Sequence, residues 1–175
     1  MVFSSLTFLC LFLPVVVGLH TLVKNTRARN VILLVASLLF YAWGEPVWIA
    51  AMIVSTIVNY VSARAISGAK TPGGRKAALA IGVIISLSSL FYFKYSAFLV
   101  NNISALFGST FRMATPKLPI GISFYTFQII TYTVDVYRGE APLQKNPFWL
   151  LLYVSLFPQL IAGPIVRYQQ VAEAI

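Results

Sequence analysis

The chain has 175 residues, 59% of them hydrophobic and 10% charged, with a mean hydropathy of +0.84. A soluble domain runs near about 45–50% apolar and about 25% charged, so an ordinary soluble domain, a disordered tail and a disulfide scaffold are all excluded. The formal charge of +9, from 13 Lys and Arg against 4 Asp and Glu, does not point to nucleic acid, because the cations sit in short gaps between apolar runs, as basic residues beside lipid headgroups do.

Phe3 to Val23 is 21 residues without a charge. As a helix it reaches roughly 31 Å, enough to cross a bilayer. The positives Lys24, Arg27 and Arg29 follow it, and no small-x-small cleavage site ends it. It reads as an uncleaved first span with the amino terminus outside and the basic cluster inside. Pro14 is placed to kink it. Cys10 lies within it and has no second thiol to pair with, and no Cys/His set has metal spacing, so no metal site is expected.

Val31 to Trp43 holds 13 uncharged residues, and Val47 to Ala63 holds 17. Gly44-Glu45-Pro46 breaks the helix between them. A tilted pair of crossings and a shallow hairpin both fit, and both keep the flanking basic clusters on one side. Tyr41, Trp43 and Trp48 flank the turn, as interfacial aromatics do. Arg64 to Lys76 carries Arg64, Lys70, Arg75 and Lys76 among Gly68, Pro72, Gly73 and Gly74. It reads as a mobile, basic, cytoplasmic loop. Ala77 to Phe93 is the next span, closed by Lys94, which can snorkel. Tyr95 to Lys117 is mixed in polarity, with Asn101, Asn102, Gly108, Arg112 and Pro116. An interfacial amphipathic helix accounts for part of it. Its cations would lie outside, against the positive-inside bias.

Leu118 to Val134 has 17 uncharged residues but is not uniformly greasy. On a helical wheel Tyr125, Gln128, Thr131, Tyr132 and Asp135 fall within about 120° of one face. Ser123, Thr126 and Thr133 point elsewhere. Such a strip turns toward a bundle interior or a cavity rather than lipid. It serves either as the lining of a substrate or cofactor channel or as a source of interhelical hydrogen bonds. Asp135 and Arg138, at i and i+3, are spaced to pair at the mouth of such a cavity, where Arg138 would hold an anionic group. Pro147 to Val166 is 20 uncharged residues interrupted by Pro158 and by Gly163-Pro164. In lipid the backbone groups freed by such breaks must be met by protein or water. Gln159 and Arg167 are the polar groups nearby. The candidate cavity-lining set is therefore Tyr125, Gln128, Thr131, Tyr132, Asp135, Arg138, Gln159 and Arg167. His20 is the only histidine, and nothing near it in sequence would orient it as a base. No P-loop, GxGxxG, HExxH or GxSxG string is present, so no catalytic residue is assigned. The expected architecture is an all-α integral membrane protein of five to six transmembrane or re-entrant helices. Residues 1–117 would form amino-terminal helices and basic loops, and residues 118–175 the start of a core.

Two strings, LPIGISFYTFQIITYTVDVYRGE (Leu118 to Glu140) and FPQLIAGPIVRYQQ (Phe157 to Gln170), resemble the membrane-bound O-acyltransferase (MBOAT) family, in its bacterial branch that O-acetylates polysaccharides such as alginate. The opening FSSLTFLCLFLPVV and RNVILLVASLLFYAWGEP are similar to that branch's first helices. The resemblance implies a larger helical bundle in the bacterial inner membrane. It implies acetyl transfer from a cytoplasmic donor, acetyl-CoA or another acyl donor, to an extracytoplasmic sugar hydroxyl, with partner proteins of polysaccharide acetylation. It also implies that the family's signature histidine belongs to a later helix. No residue here matches it, so the sequence is expected to be the amino-terminal part of such an enzyme, an incomplete bundle that is inactive alone. D-Alanyl transfer within the family, a small transporter and a non-catalytic membrane subunit are the other readings.

Overall fold

A computed structural model describes residues 6–107, 112–163 and 166–172, without the side chains of residues 161 and 162. The first residues of the opening apolar run, Gly108, Pro164 and Ile175 lie outside the described residues. All regular structure among the described residues is helical.

Helix α1 occupies Phe8–Leu22. It opens as a π-helical turn over Phe8–Phe12 and becomes α-helical from Leu13. Pro14 stands in the first α-helical turn, and the wide turn before it absorbs the proline without breaking the run. Helix α2, Thr26–Gly44, starts where the Asn25 side chain accepts from Arg27 N at 2.9 Å. Helix α3, Ile49–Gly68, follows after a short turn. Both helices are longer than their apolar runs, because Arg27, Arg29 and Arg64 are helical too.

The expected mobile loop over Arg64 to Lys76 is corrected to a three-residue connection at 69–71. Helix α4 begins directly at Pro72. Thr71 Oγ1 accepts from Gly74 N at 3.1 Å, and Pro72 has the φ a first turn wants. Gly73 and Gly74 fall in that first turn and Gly68 closes α3, so none of them interrupts a helix. The expected end at Lys94 is corrected as well: α4 runs through to Leu106, 35 residues in all. No Gly, Pro or cap signal follows Lys94 to stop it. A separate interfacial helix over Tyr95 to Lys117 is therefore absent among the described residues: its first half is the end of α4, and 112–120 is irregular.

Helix α5, Ile122–Arg138, is bounded by two glycines in the left-handed region, Gly121 at φ 76° and Gly139 at φ 78°. Gly121 also sits where a Cβ would stand 3.2 Å from the Leu160 carbonyl oxygen. Helix α6, Pro147–Ser155, is capped by Asn146, which accepts from Phe148 N at 3.0 Å. The chain then bends at Leu156 and restarts as α7, Phe157–Ala162. Pro158 thus opens a helix instead of interrupting one. A short α8 covers Tyr168–Val171.

Helices α3, α4 and α5 pack against one another, α6 lies against α2 and α3, and α1 rests on α2. The main core joins Met52, Ala63, Ile129, Tyr132, Leu150 and Tyr153. A second knot stacks Phe8, Phe12, Phe40 and Phe157, with ring centroids 5.4–6.1 Å apart. It ties α1, α2 and α7 together. Outward faces carry Leu11, Val15, Val35, Leu39, Ile57, Ile84 and Phe98, whereas Asn59, Thr56, Ser86 and Thr133 are buried inside. α3 and α4 are each long and apolar enough to cross a membrane, and α1 is a shorter apolar helix.

Candidate functional site

The polar side of α5 is where the sequence places its candidate residues. Helical spacing puts Tyr125, Gln128, Tyr132 and Asp135 on the inner face, and all four are buried. Gln128 Nε2 donates to the Tyr153 carbonyl oxygen of α6 at 2.8 Å. The Tyr132 hydroxyl accepts from Gln144 N at 3.0 Å. Its ring stands edge-on to Tyr168 of α8 at 4.8 Å, and Tyr168 meets Tyr153 at 5.2 Å. Edge-to-face rings at these distances are the favoured aromatic geometry. Gln144 Nε2 donates to the Tyr168 hydroxyl at 2.8 Å, and the Tyr153 hydroxyl donates to the Val166 carbonyl at 2.8 Å. Burial raises Tyr168 above the ordinary tyrosine range, against the pull of that Gln144 hydrogen bond. It remains a neutral phenol at neutral pH.

Thr131 stands apart from the others. It is half-exposed and returns its hydroxyl to Phe127 O at 2.8 Å on its own helix. Thr126 and Thr133 point inward instead and are buried. Thr133 Oγ1 donates to Asn59 Oδ1 at 3.0 Å, and Asn59 Nδ2 donates to Ser86 Oγ at 2.7 Å. This triad joins α3, α4 and α5. A single-helix wheel does not reveal it, because the inward arc is set by two neighbours, not one.

Asp135 and Arg138 do not form an ion pair among the described residues. Asp135 turns into the core, while Arg138 is exposed. One carboxylate oxygen of Asp135 is buried without a hydrogen-bond partner. Arg167 is exposed and precedes α8, while Gln159 in α7 has a buried Nε2 without a partner. The Tyr125 hydroxyl and Ser155 Oγ are likewise buried and unmet. His20 falls in the last turn of α1, which rests on α2. No group of three His, Cys, Asp or Glu that could hold a metal occurs among the described residues.

At the start of α5 a different contact was not foreseen. Glu45, in the α2–α3 turn, is buried and pairs with Lys117 Nζ at 2.9 Å. Tyr41 beside it donates to the Ile120 carbonyl at 2.9 Å. These two contacts fix where the irregular stretch turns into α5. The arrangement as a whole is a helix with a polar inner face, anchored at both ends, whose unmet polar groups Tyr125, Asp135, Ser155 and Gln159 lie on three packed helices.

The chain is 42% identical over 99% of its length to a protein named "Probable alginate O-acetylase AlgI" from Pseudomonas syringae pv. tomato, of which it covers 34%. It is 41% identical over 99% of its length to the protein of that name from Pseudomonas aeruginosa, again covering 34% of it. It is 32% identical over 97% of its length to a "Peptidoglycan O-acetyltransferase" from Helicobacter pylori, covering 38% of that protein. The chain thus spans about a third of the length of the curated relatives it matches. No family model matches it, and no solved structure matches it. Similarity that runs through almost every one of its residues, to relatives whose names give O-acetylation of two different polysaccharides, supports the resemblance to the membrane-bound O-acyltransferases.

Proposed function

We propose that this chain forms part of a multi-pass inner-membrane O-acetyltransferase that moves acetyl groups from a cytoplasmic donor to hydroxyls of an extracytoplasmic polysaccharide. The observation that carries the reading is the 42% identity over 99% of the chain to a protein named as an alginate O-acetylase. Alginate is the favoured acceptor over peptidoglycan, since the peptidoglycan relative is 32% identical. Acetyl-CoA or another acyl donor is the co-substrate in this reading, and separate acetylation proteins on the far side of the membrane are the partners.

The geometry supports a membrane setting. α3 and α4 are long and apolar enough to span, and the molecule carries apolar side chains outside and polar ones within. Lys24, Arg27 and Arg29 lie at the end of α2 remote from the Glu45 turn, and Arg64, Lys70, Arg75 and Lys76 lie at the matching end of α3 and α4. Arg75 reaches Tyr137 O, and Tyr60, on α3, reaches Lys145 O, so Arg138 and Lys145 share that end. In this reading that end is the cytoplasmic face, and the concentration of cations there supports it. The candidate residues on α5 then run from one face toward the other. Their role here is to position groups along the acyl-transfer path, Tyr125, Gln128, Tyr132 and Asp135 from α5, Gln159 from α7 and Arg138 and Arg167 at the basic end. Thr131 does not share that inner face.

The test is genetic and chemical. The full-length gene is introduced into an alginate-producing strain lacking its own acetylase, and acetate released from purified alginate by mild base is measured. Restored acetate on alginate supports the reading. Acetate appearing on peptidoglycan alone would move the acceptor, and acetate on neither polymer would sink the assignment. A Gln128→Leu variant is expected to lower acetylation at least roughly tenfold, the usual scale for losing a positioning contact, while membrane levels of the protein stay comparable.

A further inference from the structure

The basic end of the bundle contains a recess that the acyl-transfer reading does not use. It lies between the α3–α4 connection and the end of α5, has a volume of about 370 Å³, and is lined by Ala69, Lys70, Thr71, Pro72, Arg75 and Tyr137. A second recess of about 290 Å³ adjoins it, sharing Ala69 and Arg75, with Val136 and Leu143 on its far wall. No acidic side chain lines either one.

Arg75 is held in place between them. Its Nη2 donates to the Tyr137 carbonyl oxygen at 2.8 Å, and its guanidinium lies 5.5 Å from the centre of the Tyr137 ring. One donor and the ring face fix its plane, which leaves the remaining N–H groups of the fork for a ligand. Lys70 is exposed on the same wall. The nearest acidic residue in sequence on the facing loop, Glu140, is exposed and absent from both linings. A planar cation with fixed orientation beside a mobile one is the usual pairing for a phosphate, which takes the fork bidentately and the ammonium as a point charge.

We propose that this recess binds a phosphate group, with Arg75 and Lys70 as its ligands. The phosphodiester of an anionic lipid headgroup and a free phosphate share this chemistry. The position of the recess favours the lipid: it stands at the first turn of α4, where a helix long and apolar enough to cross a membrane begins. The inference rests on charge and shape at this end and does not require that the chain transfer acetyl groups.

Native mass spectrometry of the full-length protein, purified in a neutral detergent, reads the number of bound phospholipids as phosphatidylglycerol or phosphatidylcholine is added. Preferential retention of phosphatidylglycerol is expected, falling at least roughly tenfold in the Lys70→Ala/Arg75→Ala double variant, given about 1 kcal/mol per cation at a membrane surface. Lys70→Ala alone is expected to lose several-fold; because no hydrogen bond or ion pair of Lys70 is described, this variant keeps the test valid if removing Arg75 disturbs folding. An Arg27→Ala variant, at the same end but outside the recess, is expected to keep retention within about twofold. Displacement of the lipid by millimolar inorganic phosphate would identify free phosphate as the source and leave the site standing. Equal losses in the recess variants and in Arg27→Ala would show a diffuse basic field and overturn the proposal, as would equal retention of both lipids with no response to phosphate.

Discussion

Asn59 donates to Ser86 and to its own helix at Ser55 O, and it accepts from Thr133, so one side chain touches three helices. All three partners of the triad are buried. In lipid such a contact is worth about 0.6 kcal/mol on average and up to about 1.7. Asn59→Leu keeps the branched shape, with a somewhat larger side chain, and removes both interhelical bonds, and it is expected to cost about 1–2 kcal/mol. Thermal unfolding of the detergent-solubilised protein reads this. A double variant with Thr133→Val should cost less than the two single changes added together, because both remove the same bond; strict additivity would show the bond carries no stability. The inner strip of α5 was legible from spacing alone, since Tyr125, Gln128, Tyr132 and Asp135 all turn inward. Thr133 was not, because its partner sits 74 residues away on α3. Asp135 and Arg138 had the spacing of a pair, but spacing does not say which member of a pair the core claims. Glu45 stands in the sequence only as part of a helix-breaking turn, and it is buried where Lys117 comes back to meet it.

At the scale of the element, the seam between α3 and α4 is set by a glycine. A Cβ on Gly82 would fall 2.6 Å from Ser62 Oγ and 2.8 Å from Ser62 Cβ. The second distance cannot be relieved by rotating the serine, so the helices must separate. Gly82→Ala is expected to destabilise by about 1–3 kcal/mol, the range for overpacking. Adding Ser62→Gly removes both clashing atoms and should recover most of the loss in the same unfolding assay. A Gly82→Ala protein as stable as the parent would show that the two helices are not packed this closely. Helix ends were harder to read from sequence than helix existence. The basic stretch with its three glycines and a proline looks like a loop, yet Thr71 and Pro72 are a cap and a first-turn residue, so the same letters start a helix. Pro158 repeats the lesson, since the bend falls two residues earlier, at Leu156. Lys94 has the look of a stop, since a charge often closes an apolar span. A helix ends where capping or backbone strain ends it, and neither occurs before Leu106.

For the whole molecule, the length of α4 sets a geometric constraint. From Pro72 to Phe93 it rises about 32 Å, close to the roughly 30 Å of a hydrocarbon core. Phe93 meets Trp48, in the α2–α3 turn, with ring centroids 4.9 Å apart. The turn, Lys94 and the Glu45–Lys117 pair therefore mark one level, about one membrane thickness from the basic end. The rest of α4 projects about another 18 Å, and Asn101 fastens the returning chain there through two bonds to Met113. If the basic end is cytoplasmic, single cysteines in a Cys10→Ser background should report it. Asn102→Cys should react with a membrane-impermeant maleimide in intact cells, Lys76→Cys only after the membrane is opened, and Ser88→Cys in neither case. Trp43→Cys then separates the two readings that the sequence left open for α2 and α3. A pair of crossings brings it to the outer surface, where it labels in intact cells. A shallow hairpin leaves it within the bilayer and unlabelled. The helices have 19 and 20 residues, each about 29 Å long, and that length matches a crossing, so labelling of Trp43→Cys from outside is the expected result. Labelling of Lys76→Cys from outside would invert the orientation, and free labelling of Ser88→Cys would remove the membrane from the argument altogether.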